Sequence, residues 1–536
     1  MTGASPAAVA PPLDGVALGV FGVIFGAVSI LGFLASRWRR GDLRALDEWG
    51  LGGRRFGTVV SWFLIGGDLY TAYTLIAVPA AIATAGASGF FAVPYTILAY
   101  PIMFAIMPRL WNVSKRHGFV TPADFVRGRY GDATLAFVVA LTGILATMPY
   151  IALQLVGVQV LLARMGIGGT GLAADIPLAV AFAILAAFTY TSGLRAPAAI
   201  AFVKDAMIYL VIIVAIVVIP ARVGGFGAMF AAASAHFAAV AAATGKPSGS
   251  VTLGAGAYWS YATLALGSAL ALFIYPHAVT GVLSASRVQA VRRNAVLLPA
   301  YSLLLALFAL LGYAAVAAHV SVAESSQTVP ALFAAMFPSW FTGFAFAAIG
   351  IGALVPAGVM SIAAANLWTR NIYKAYLRPQ ADDAEQTRNA KLASLVVKLG
   401  ALAFIVFVPA QQAINFQLLG GIWILQTFPA IVGGLWRRYF HNSALAVGWA
   451  VGMLFGTIEA FSQGVKGVKP TMAISLGGAT LAPYIGLVAL LANLAVAYGL
   501  TMYFDRSGVA RGVDETHDDD YVGEAVARAT TTLGTR

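Results

Sequence analysis

An all-α polytopic membrane fold follows from three features of the chain. Its 536 residues are 60% hydrophobic and only 10% charged, with a mean hydropathy of +0.84. A soluble domain carries about 25% charged residues. Thirteen apolar segments are long enough, or nearly so, to cross a bilayer, which takes about 20 residues of helix. Basic residues crowd into alternate loops between them. The balance of 33 basic to 21 acidic residues would suggest a nucleic-acid partner in a soluble protein, but the one-sided loops account for it, so no nucleic-acid partner is expected. There is no cysteine, which excludes disulfides and thiolate metal sites.

The expected spans are 15–36, 57–86, 89–109, 132–163, 176–193, 198–221, 256–285, 294–318, 336–369, 392–408, 412–435, 443–462 and 480–504. Residues 1–14 lack a basic leader and a cleavage signal, so they read as a short extracytoplasmic tail before a retained first helix. Loops on one side carry Arg37, Arg39, Arg40, Arg44, Arg54 and Arg55, then Arg109, Lys115, Arg116, Arg127 and Arg129, then Arg195. The same side continues through Arg287, Arg292 and Arg293, the cluster from Arg370 to Lys391, and Arg437 with Arg438. The other side carries only Arg164, Arg222, Lys246, Lys466 and Lys469. The positive-inside rule therefore predicts an N-terminus outside and a C-terminus in the cytoplasm of an inner-membrane protein. The outer loop from Gly224 to Gly254 contains a stretch suited to a short interfacial helix. Residues 506–536, with their DETHDDD run, read as a disordered cytoplasmic tail behind a transporter domain of 15–505.

Spans within 57–221 and 256–435 form two sets of five. An odd number per set forces the second to enter the membrane in the opposite sense, which is the arithmetic of an inverted repeat. The second span and the seventh, with Gly267 near its middle, are then counterparts. The second span is the telling one. Within Ser61 to Ala87 it carries Ile65-Gly66-Gly67-Asp68, then Tyr70, Thr71, Tyr73 and Thr74. A glycine pair weakens a helix, and a carboxylate at membrane depth is costly unless paired, hydrated or protonated. Broken helices near the midplane build the ion and substrate sites of secondary transporters. The alternative reading is that Gly66 and Gly67 only permit close packing.

Asp68 is the candidate coupling group, because a low dielectric disfavours its charged form and favours uptake of a proton or pairing with a cation. Tyr70, Thr71, Tyr73 and Thr74 offer hydroxyls beside the break, though four near-consecutive residues cannot share one face. Tyr150 and Gln154 lie one turn apart on the fourth span and are candidates for the cavity wall, with interface anchoring as the alternative. His277 is a candidate proton relay, or else a packing residue beside Pro276. Asn415, Gln417 and Gln426 are candidate cavity lining in the eleventh span. Lys398 reads as a lysine snorkelling towards an interface, and Lys204 with Asp205 as a pair at the cytoplasmic interface. No metal-ligand cluster, phosphate loop or hydrolytic triad is visible, so an enzyme is not expected.

Several stretches resemble the sodium:solute symporter family. They are GFVTPADFVRGRYG (Gly118 to Gly131), Met148-Pro149-Tyr150 with Gln154, SGLRA (Ser192 to Ala196), Tyr275-Pro276-His277 with Arg287, and LWTRNIYKAY (Leu367 to Tyr376). Their order spans nearly the whole core. The resemblance implies a LeuT-type fold of 13 helices, a core of 57–435 with one helix before it and two after. The stretch ALVPAGVMSIAAANLWTRNIY is most similar to bacterial monocarboxylate permeases, which implies uptake of lactate, pyruvate or similar acids. Sodium-dependent members carry a hydroxyl pair in the ninth span where this chain has Val355 and Pro356, with Gly352 a turn earlier. Sodium wants oxygen ligands, and only main-chain carbonyls near Ile65 and Gly352 remain to supply them. The reading is a cation symporter with no cofactor beyond sodium or a proton, the proton favoured. Substrate contacts fall to Gly66, Gly67, Tyr70, Thr71, Thr74, Tyr150, Gln154 and Tyr275, and cation coupling to Asp68, Ile65, Gly352 and Val355. A symporter of another solute, or a sensor without flux, is the alternative.

Overall fold

The computed structural model describes residues 13–38, 41–167, 176–245, 249–407, 413–464, 467–476 and 479–523. Residues 1–12 and 524–536, which hold most of the N-terminal tail and the end of the C-terminal one, lie outside them. Helices α1 (Gly15–Leu34) and α2 (Leu46–Leu51) lead into the broken second span, α3 (Thr58–Gly67) and α4 (Val78–Ala85). There follow α5 (Ala92–His117), α6 (Pro122–Tyr130), α7 (Ala133–Arg164), α8 (Ile176–Ser192), α9 (Arg195–Arg222) and α10 (Phe226–Thr244). The second half holds α11 (Tyr258–Leu272), α12 (Pro276–Leu283), α13 (Val288–Leu297), α14 (Pro299–Ala317) and α15 (Thr328–Met336). It ends with α16 (Ser339–Trp368), α17 (Asp383–Phe407), α18 (Ala413–Leu425), α19 (Phe428–Ile431), α20 (Asn442–Ala460), a short hairpin of β1 (Ile474–Leu476) and β2 (Ala479–Leu481), and α21 (Ile485–Arg506).

Every expected span contains helix, but length and composition give a different count. Among the described residues nine helices are long and apolar enough to cross a membrane, or eleven if two bent pairs each count once. The second expected span falls out because its break leaves only short pieces, only 17 residues of the fifth are described as helix, and α17 of the tenth is not among the qualifying helices. Helix α10, expected as a surface element, is long enough to qualify and packs Phe237 against Tyr313 of α14 at 6.3 Å. The seventh span bends by 46° between α11 and α12, not at Gly267. Pro276 sets the bend: it lacks the N–H that would continue α11, and it occupies the first turn of α12. Gly267 lies inside α11, where a side chain would strike the Tyr484 ring. Helix α16 is buried along its whole apolar window and forms the central post, apolar all round as a fully enclosed helix must be.

The arginine-rich loops meet at one end of the bundle. The Arg54 guanidinium donates to the Phe119 carbonyl at 2.6 Å and pairs with Asp47 at 3.1 Å. Thr121 and Asp124 form a capping box on α6, and Asp124 then accepts from Asn371 at 2.8 Å and from Arg370 at 3.3 Å. Thus the GFVTPADF and TRNIY motifs, far apart in the chain, lock to each other. The SGLRA turn packs on α2, where Arg195, fully buried, pairs with Glu48.

Residues 507–523 depart from the expected disorder. They run as a strap across this basic end. Arg511 donates to the Arg438 carbonyl at 2.8 Å, the Glu515 N–H to the Gly128 carbonyl at 2.8 Å, and Arg129 to Asp514 at 2.8 Å. Gly131, left-handed at φ 60°, lies so close to Val513 that a side chain there would meet its carbonyl at 2.3 Å. Tyr521 is 2% exposed, with the guanidinium groups of Arg109 and Arg129 5.5 and 5.1 Å from its ring centre. Acidic composition alone suggests disorder, but here Arg129 pairs with Asp514, and Arg116 and His117 hold Asp520.

Asp520 carries a pH dependence. Burial raises its carboxyl, but bonds from His117, the His517 N–H and Arg116 outweigh that and hold it below the ordinary aspartate value. A depressed carboxyl stabilises docking above its unfolded value, and that contribution is lost as pH falls through the docked value. Hydrogen exchange at residues 514–521 is therefore expected to stay slow from neutral pH down to about pH 4 and to accelerate only below it. Acceleration already near pH 6 would show that this carboxylate does not hold the strap.

Candidate functional site

Helix α3 ends at Gly67, and helical geometry resumes only at Ala72, running through a π-helical stretch Tyr73–Ala77 into α4. The main chain freed at the break is satisfied by side chains. Gln154 Oε1 accepts from the Ala72 N–H at 2.8 Å, Thr71 Oγ1 from the Tyr73 N–H at 3.1 Å, and the Thr74 hydroxyl donates to the Leu69 carbonyl. The Gly67 carbonyl accepts from the Lys204 ammonium. Both glycines allow this closeness: a side chain at Gly66 would meet the Tyr301 ring at 2.2 Å, and one at Gly67 the Lys204 Nζ at 2.9 Å.

Lys204 and Asp205 are therefore not an interfacial pair. Both are 0% exposed, 3.1 Å apart, and Asp205 also accepts from the Tyr301 hydroxyl at 2.6 Å. The pair gives the carboxyl end of α3 a resident cation, where the helix dipole favours one. Lys398 does not snorkel either: it is 1% exposed, and its ammonium donates to the Ser394 hydroxyl and carbonyl oxygens at 3.3 and 3.5 Å.

On the other side of the break, Asp68 Oδ2 lies 3.5 Å from His277 Nε2 of α12. Asp68 Oδ1 and His277 Nδ1 are buried with no hydrogen-bond partner among the described residues. The His277 ring lies 5.2 Å from that of Tyr275 and 5.4 Å from that of Tyr150. Those two tyrosines, with Tyr73, Tyr95, Gln417 and Tyr484, enclose a cavity of about 20 Å³. The Tyr275 hydroxyl and Gln417 Oε1 are likewise buried and unpartnered. Buried polar atoms are nearly always bonded, so four orphans beside one break mark a place where something polar binds or a proton moves. The cavity is one-water sized, so admitting any larger solute requires its walls to part.

The predicted residues divide. Asp68, His277, Tyr150 and Tyr275 come together at the break, and Gln154 holds its backbone. Tyr70 faces the other way, its hydroxyl donating to the Tyr301 carbonyl at 3.2 Å, and Gly66 packs on Tyr301. Gly352 abuts Leu75 and the Tyr70 carbonyl, and Ile65 and Val355 are buried. Gln426 bonds Asn493 instead of lining the cavity. Tyr95 and Tyr484 were missed, although a tyrosine deep in an apolar span is itself a polar signal.

Similarities to known proteins bear on the family and the fold. The model of the sodium:solute symporter family matches residues 49–452. A monocarboxylate transport permease protein of Rhizobium johnstonii is 54% identical over 486 residues, 90% of this chain and 96% of that protein. An uncharacterized symporter of Bacillus subtilis, YodF, is 33% identical over 454 residues, 84% of this chain and 89% of its own length. Among solved structures, a Na+-coupled sialic acid symporter in a substrate-bound, outward-open state aligns with a TM-score of 0.72 at 13% identity, over 91% of this chain and 98% of that one, a likeness of fold. Matched along three quarters of its length, this multi-pass membrane protein belongs to the sodium:solute symporter family and has its LeuT-type fold.

Proposed function

We propose that the protein imports small monocarboxylates such as lactate and pyruvate by proton symport, with the basic end facing the cytoplasm of the inner membrane. The observation that carries the coupling is the Asp68–His277 pair, each with an unpartnered buried atom, beside the aromatic cavity. A proton on Asp68 removes the charge that opposes an incoming carboxylate, so binding one favours binding the other. His277 lies where it can hand that proton on, and the Tyr150 and Tyr275 hydroxyls are placed to hold the acid. The 54% identity to a monocarboxylate transport permease supports the substrate class.

Sodium fits the site less well. Gly352 and Val355 bring no side-chain oxygen, and the Gly67 carbonyl already accepts from Lys204. A fixed ammonium at the break does electrostatically what a bound metal cation would do, and Asp68 remains to carry the transported charge.

In sodium-free proteoliposomes an inward gradient of one pH unit is expected to raise the initial rate of labelled lactate uptake well above that of protein-free vesicles. It can support up to about tenfold accumulation for one proton per substrate, and a protonophore should abolish it. Uptake that follows a sodium gradient and ignores the proton gradient would overturn the coupling. Failure of lactate and pyruvate to compete in either gradient would overturn the substrate class.

A further inference from the structure

The basic end contains a second cavity, of about 510 Å³, remote from the break. The end of α5 contributes Trp111, Lys115 and Arg116, the start of α13 contributes Arg287 and Arg292, and Val522 of the strap closes one side. Among the described residues no carboxylate lines it. Arg116 pairs with Asp520 at 2.9 Å, whereas Lys115, Arg287 and Arg292 have no ion pair among the described residues.

The first turn of α13 opens on the same space. Its cap residue, Arg287, makes no side-chain bond to the turn, and no acidic residue lies in that turn. The free N–H groups there add partial positive charge to that of the four side chains. Loops that merely obey the positive-inside rule spread such charges into water. Here the four side chains, exposed as they are, converge on one concavity, whose wall is held because the Trp111 indole N–H donates to the Ala285 carbonyl at 3.0 Å. Arginine forks at a helix start are matched to phosphate, which accepts two parallel N–H bonds from each. Nearby, Val296 and Leu297 of α13 are 66% and 51% exposed, an apolar flank that lipid would cover.

We propose that this cavity is a phosphate-binding site, taking either the headgroup of an anionic phospholipid or free phosphate. A phosphate there bridges α5, α13 and the strap, elements from both five-span sets, and so braces the basic end against opening. The reading stands apart from the coupling ion and the substrate.

The test uses the full-length protein in phosphatidylcholine nanodiscs, followed by thermal unfolding. Inorganic phosphate is expected to raise the unfolding temperature saturably, and the Arg287→Gln/Arg292→Gln double variant to raise the half-saturating concentration at least tenfold. If free phosphate does nothing but phosphatidylglycerol raises the unfolding temperature of wild type and not of the double variant, the site is confirmed and its ligand is the lipid. Should the double variant fail to fold, Lys115→Gln is expected to weaken the same response about threefold. The proposal is overturned if wild type responds to neither probe, or if the folded variants respond as wild type does.

Discussion

Replacement of Asp68 by Asn is expected to reduce proton-driven accumulation to the equilibrium level while leaving counterflow of labelled lactate within about threefold of wild type. The amide keeps the shape of the carboxylate, and the distance of 3.5 Å to His277 leaves no tight ion pair to be broken. Folding is therefore little affected. What is lost is the basic site: an amide takes up no proton at any pH relevant to the cell. Exchange needs only the substrate site and the movement of the bundle, and the neutral amide resembles the protonated acid in charge. Parallel gradient-driven and counterflow assays separate the two. Undiminished accumulation would assign Asp68 a structural role and return the coupling to another ion.

Removal of the fully buried carboxylate of Asp205 is expected to damage the fold itself. In Asp205→Asn the Lys204 ammonium stays at 0% exposure but loses its counter-charge. Breaking a buried pair from one side costs about 3–5 kcal/mol, more than deleting both charges together. The single variant should therefore unfold at a much lower temperature in detergent than Lys204→Met/Asp205→Asn, in which no uncompensated charge remains. The double variant should be nearly as stable as wild type. It should still lose transport, because nothing then caps the Gly67 carbonyl. Equal stability of the single variant and wild type would mean that Lys204 is held by the carbonyl and the Tyr70 ring alone, 6.0 Å from its centre.

What could be read from the chain was whatever local composition encodes. The break at Gly66 to Asp68 stands out because two glycines and a carboxylate interrupt an apolar run, and α3 indeed stops at Gly67. The arginine loops stand out because the lipid excludes charge. What could not be read were the contacts that decide between two local meanings. Lys204 lies nine residues into α9 and looks interfacial, but the preceding SGLRA turn folds onto α2, so the start of α9 is already enclosed. In the seventh span Gly267 stands out as the mid-span glycine, whereas the missing N–H of Pro276 decides where the helix bends. The acidic residues after Asp505 read as solvated because their arginine partners lie hundreds of positions earlier.

The strap also imposes an order of events on biosynthesis. Residues 507–523 are made after every helix of the bundle. Until they emerge, Arg129 lacks the partner Asp514, and the guanidinium groups of Arg109 and Arg129 have no Tyr521 ring to lie against. The first five-span set can insert and pack long before this, but Arg116 and Arg129 at its basic end wait for their strap partners throughout translation of the second. Closure of that end thus reports that the chain has been read through to Tyr521. Nascent or prematurely terminated chains would leave Arg116 and Arg129 without their acidic partners, a mark by which the proteases and chaperones of the membrane would tell them from finished ones.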